Sequence, residues 1–173
     1  MAVRLEGVLL DTNVLIDYSL GREPHSGVCT ELLGELVLRG KTVFVAAVSL
    51  KDLFYVVENY IKQQARADHG GTLLPGDAAA ATRIAWGCVE RMLEIALVPN
   101  LGHAECREAF MLRGVHGDFE DDLVVAAALH VGAGCLITSD ERLMRHAPVA
   151  CLAPQDALTL LKREDVHGGV GGF

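Results

Sequence analysis

The apolar run Val8-Leu9-Leu10 stops abruptly at Asp11, the pattern of a strand covered on both faces that ends in a polar turn. Residues 1–11 therefore predict a first strand, and Asp11 to Asp17 a turn just past its carboxyl end. In residues 26–39, Val28, Leu32, Leu33, Leu36 and Val37 recur at helical spacing until Gly40. Thr42 to Val48 is rich in β-branched residues and predicts a second strand. From Ser49 to Gln64 a stripe of Leu50, Leu53, Phe54, Val57 and Ile61 predicts a helix. Ala65 to Gly76 reads as a loop, Asp77 to Leu93 as an alanine-rich helix, and Ile95 to Val98 as a third strand. A helix over Gly102 to Leu112 leads through the bend Val115-His116-Gly117-Asp118 into a small-residue helix, Phe119 to Val131. Cys135 to Thr138 gives a fourth strand, Glu141 to His146 a short helix, Val149 to Leu152 a fifth strand and Gln155 to Arg163 a last helix.

Strands that alternate with helices pair in parallel and carry helices on both faces. The expected fold is α/β, a three-layer α/β/α sandwich whose central parallel sheet has about five strands. One domain over residues 1–165 accounts for all of it, and the glycine-rich segment 166–173 is expected to be disordered. A chain of 173 residues with 51% hydrophobic content can bury a sizeable core. Its apolar runs fall short of the ~20 residues of a membrane helix, so no membrane partner is expected. No export signal is visible, and five cysteines scattered along the chain do not make a disulfide framework, which favours the cytoplasm. The net charge of -8 argues against broad electrostatic binding of nucleic acid but is compatible with a substrate met through cations.

Acids occur where three strands hand over to helices: Asp11, Asp52 and Asp140. The run Asp118-Phe119-Glu120-Asp121-Asp122 opens a further helix. In a parallel sheet these strand ends share one edge, where open α/β folds place their ligands. Carboxylates gathered there could hold Mg²⁺ or Mn²⁺ for phosphodiester hydrolysis. Each acid also has a plainer explanation. Ser49 to Asp52 approximates a capping box, and Asp118 and Asp140 stand where N-caps belong.

Here the residues resemble a known family. Leu10-Asp11-Thr12-Asn13-Val14 is similar to the opening motif of PIN-domain nucleases. Asp118-Phe119-Glu120-Asp121 and Ile137-Thr138-Ser139-Asp140 are similar to their closing motifs, and the resemblance spans about residues 7 to 152. It implies that Asp11, Asp121 and Asp140 are metal-binding aspartates, with Asp118 an additional acid. Asp52 stands where the family usually carries glutamate. Thr12, Asn13, Thr138 and Ser139 match polar residues that orient the acids or the water. The resemblance further implies an Mg²⁺- or Mn²⁺-dependent endoribonuclease with an RNA substrate. Small VapC-like members are toxins of toxin–antitoxin pairs, which implies an antitoxin protein as partner and a homodimer. The helix from Asp77 and the loop before it are longer than in compact toxins.

Two other readings stay open at this stage. One is a phosphatase using Asp11, disfavoured because Asn13 stands where a second acid is usual. The other is a catalytically inactive PIN-like binding module. Weaker signals add little: His103 and Cys106 lack a second ligand pair, no G-x-G-x-x-G follows the first strand, and 5% aromatic residues promise no base-stacking platform.

Overall fold

A computed structural model describes residue 3, residues 5–115 and residues 117–168. His116 and the glycine-rich end from residue 169 lie outside the described residues. The order is β1 (Gly7–Leu10), α1 (Thr12–Leu20), α2 (Ser26–Leu38), β2 (Thr42–Val45), α3 (Ala47–Asp68), α4 (Pro75–Ile95), α5 (His103–Leu112), α6 (Phe119–His130), β3 (Cys135–Ile137), α7 (Glu141–His146), β4 (Cys151–Leu152) and α8 (Pro154–Gly168). All pairings are parallel, in the order β2-β1-β3-β4.

Among the described residues the sheet has four strands, against an expectation of about five. Ile95 to Val98 contributes one isolated bridge, Phe44 to Leu97, whose two backbone hydrogen bonds measure 3.0 and 2.8 Å. Helix α4 persists to Ile95 and Pro99 closes the segment, so Ile95 itself is helical and Leu97 alone pairs with β2. The other correction concerns Asp11 to Asp17, which is the start of α1 and not a turn. Its Val14, Leu15 and Ile16 are buried together, which a nine-residue helix against the sheet achieves and an exposed turn would not. The loop before α4 is also shorter than expected, because α3 runs on to Asp68 and α4 begins at Pro75.

Strand alternation divides the core. Val8, Leu10, Val43, Val45 and Ile137 face one layer with α1, α2, α3 and α8. Leu9 and Leu136 face the other, against α6 and α7. Asp122 to Ala128 of α6 are all buried, since the sheet covers one side of that helix and α5 packs its small residues on the other. Register fixes the functional edge: Leu10 lies opposite both Val45 and Ile137. The next residues, Asp11, Ala46 and Thr138, therefore leave the sheet side by side. The chain runs to opposite sides from β1, so this edge is also a topological switch point. No described helix is long and apolar enough to cross a membrane.

Candidate metal-binding edge

Asp11 is 4% exposed, at the carboxyl end of β1. Its Oδ1 accepts the Thr12 amide at 2.7 Å, capping α1. Its Oδ2 accepts the Thr138 hydroxyl at 2.6 Å and Asn13 Nδ2 at 2.7 Å. Thr138 Oγ1 in turn accepts Asn13 Nδ2 at 3.1 Å and the Asp140 amide at 2.9 Å. Asn13 Oδ1 accepts the Ser139 amide at 3.1 Å. This knot ties the ends of β1 and β3 together, beside the backbone bond from the Asp11 amide to the Ile137 carbonyl at 2.9 Å. Burial holds the Asp11 carboxyl above its ordinary pKa, and the nearby Asp140 charge adds to the rise; Thr138, the Thr12 amide and Asn13 oppose it.

A second group lies where α1, α3 and α6 begin. Thr12 Oγ1 is 2.9 Å from the fully buried Ser49 Oγ and 3.4 Å from Glu120 Oε1. Thr12 donates to Ser49 Oγ, and Glu120 Oε1 stands beside it as a second, longer acceptor. Asp52 Oδ1 takes the Lys51 ammonium at 2.7 Å, while Asp52 Oδ2 is buried with no hydrogen-bond donor. Glu120 is pushed up to about 7 by desolvation first and then by Asp52, with Asp118 adding and Lys51 opposing. Two carboxylates pressed together in this way keep a proton or take up a cation.

The predicted residues are thus partly assembled. Asp11, Asn13, Thr138, Ser139 and Asp140 meet directly, and Thr12 joins them to the second group. The capping explanations hold as well for three acids: Asp118 accepts the Glu120 amide at 2.9 Å, Asp140 accepts the Arg142 and Leu143 amides at 2.6 and 3.3 Å, and Asp11 caps α1. For Asp52 the capping box fails, because α3 starts at Ala47 and places Ser49 inside its first turn. Asp121 is half-buried in the first turn of α6, between exposed Asp118 and buried Asp122.

Glu120 and Ser49 join this edge beyond the residues that the resemblance implies. Asp118 at the N-cap sets Glu120 two residues into the helix, a signal present in the sequence; the partnership of Ser49 with Thr12 spans 37 residues and leaves no local trace. Of the aromatic residues, Phe54, Tyr55 and Trp86 meet on α3 and α4.

Hard carboxylate oxygens and the donorless Asp52 Oδ2 suit a divalent cation such as Mg²⁺ or Mn²⁺. Among the described residues, no three of His, Cys, Asp and Glu close around one point as they stand. The donor chemistry fits; the two groups would have to draw together around the ion.

The family model described as PIN domain matches residues 7–142. No curated protein matches the sequence. Among solved structures, a chain of VapBC2 from Rickettsia felis, crystallised bound to a DNA fragment from their promoter, is similar with a TM-score of 0.58 and 14% identity. The likeness covers 85% of this chain and 98% of that one, and it concerns the fold.

Proposed function

Since this chain belongs to the PIN-domain family, we propose that it is a divalent-cation-dependent endoribonuclease and the toxin of a toxin–antitoxin pair. The observation that carries the reading is the hydrogen-bonded knot of Asp11, Asn13, Thr138 and Asp140 at the switch point of the sheet. A helix cap needs one carboxylate oxygen; Asp11 has both engaged and remains buried at a cost in desolvation.

Asp11, Asp121 and Asp140 would hold the cation, with Asp52, Asp118 and Glu120 alongside. When bound, the ion neutralises charge developing on a phosphodiester and acidifies the attacking water. The chain's own residues do the rest. Thr138 and Asn13 aim Asp11 Oδ2, and the Asp140 amide fixes the Thr138 hydroxyl that does so. Thr12 holds Glu120 against the edge, and Glu120, poised near neutrality, can take a proton from the incoming water.

The toxin assignment is supported by fold likeness to one chain of a VapBC assembly, and it brings an antitoxin protein as partner. The test is cleavage of single-stranded and structured RNA with Mg²⁺ or Mn²⁺, with EDTA, and by Asp11→Asn. Metal-dependent cutting that disappears in the variant supports the reading. Cutting that survives both EDTA and Asp11→Asn overturns it.

A further inference from the structure

The chain has a single tryptophan, and the structure leaves it 61% exposed. Trp86 of α4 packs its ring on Phe54 of α3, centroids 4.9 Å apart and planes inclined at 57°. Phe54 meets Tyr55 edge-on at 5.3 Å, and Tyr55 is itself 54% exposed. Three of the chain's nine aromatic residues thus form one partly wetted cluster. Large apolar rings left in water are a marker of a binding surface. They line a groove of about 270 Å³ with Leu50, Val89 and Lys51.

Lys51 connects this groove to the acidic edge. Its ammonium pairs with Asp52 at 2.7 Å and feels the charges of Asp52 and Glu120 and the phenol of Tyr55. The groove therefore begins beside Asp52, one of the acids of the edge at which the nuclease reading places cleavage. We propose that the Phe54–Tyr55–Trp86 cluster is a stacking subsite for a base of single-stranded RNA adjacent to the scissile phosphate.

The distribution of charge selects a base as the occupant. Glu90 and Glu94 line the depression beyond Trp86 and repel a phosphate backbone there. Lys51, paired with Asp52, is the one cation among the described residues lining the groove, so the base enters and the backbone leaves at that end, toward the edge where the nuclease reading places a divalent ion. Stacking on π-faces tolerates any base and does not need a positive surface, which suits a chain of net charge -8. Double-stranded RNA keeps its bases within its own stack and cannot supply one. The inference rests on the nuclease reading above but assigns residues that reading does not use.

Trp86 reports on its own occupancy. Asp11→Asn protein with Mg²⁺ is titrated with an eight-residue oligouridylate, a length-matched abasic oligomer and a duplex, following tryptophan emission together with anisotropy of labelled RNA. Saturable quenching by the oligouridylate alone is expected. Trp86→Ala should weaken its binding by about tenfold, the range of a single stacked base, and Trp86→Tyr should recover most of the loss. In the protein with Asp11 intact, the Trp86→Ala loss should fall on KM. RNA that binds and is cleaved without any change in Trp86 emission overturns this subsite and leaves the nuclease reading standing; the groove is then a protein-docking face. Failure of the protein to bind or cleave any RNA overturns both.

Discussion

The Thr138 hydroxyl donates to Asp11 Oδ2 at 2.6 Å while its oxygen accepts the Asp140 amide at 2.9 Å. One buried group therefore sets the position of one acid and the backbone leading into another, across 127 residues of sequence. Thr138→Val keeps the volume and removes the link. It strands the Asp140 amide and takes a donor from an already reluctant carboxylate. A loss of about 1–3 kcal/mol is expected in urea unfolding, typical of a buried hydrogen-bonding group left without its partner. RNA cleavage should fall with it, and Thr138→Ser should retain most of both.

Glu120 makes a pH-dependent prediction. Its folded pKa is raised from an ordinary 4.5 to about 7 by desolvation and by Asp52. An acid shifted upward stabilises the fold only while protonated. Its contribution is therefore complete below about 4.5 and is lost progressively as pH rises through about 7. Glu120→Gln removes the ionisation while keeping an acceptor for Thr12. Without divalent ions, the melting temperature of this variant should climb relative to the unsubstituted protein between these limits and level off above them. Parallel melting curves across that range would count against the shift.

Much of this edge could be read from local sequence. The run Val8 to Leu10 stopping at Asp11 and the run Cys135 to Thr138 ahead of Asp140 mark two buried strands with acids at their ends, and parallel pairing puts those ends together. Asp11 to Asp17 was harder, because an acid, a hydroxyl and an amide in succession mimic a turn when they in fact cap and begin a helix. Ile95 to Val98 has strand composition, but ladder formation depends on where α4 stops, which tertiary packing decides. The contacts of Ser49 with Thr12 and of Phe54 with Trp86 join residues far apart, and composition alone gave the aromatic residues no role.

Asp52 occupies the position where the resemblance leads one to expect glutamate, and its buried Oδ2 lacks a donor. One more methylene would lengthen the reach of this carboxylate. Asp52→Glu should lower the Mn²⁺ concentration giving half-maximal cleavage. Asp52→Asn should raise it by about tenfold or more, the low end of losses seen when groups supporting a metal site are removed. A metal requirement unmoved by either substitution would exclude Asp52 from the ion's surroundings.

Divalent ions should stabilise the whole fold, since the acids come together only when it is folded. Desolvation first, and neighbouring carboxylates after it, hold Asp11 and Glu120 above their ordinary pKa values, so the ionised acids are poorly compensated in the absence of a cation. An ion that binds the native state alone adds about 2.7 kcal/mol at a hundred times its dissociation constant. Addition of Mn²⁺ should therefore raise the melting temperature in steps that track its concentration, and EDTA should reverse the gain. In Asp11→Asn and Asp140→Asn the rise should shrink, because each removes charge that the ion would neutralise. If the acids are helix caps and nothing more, millimolar Mn²⁺ should leave all three proteins melting where they did without it.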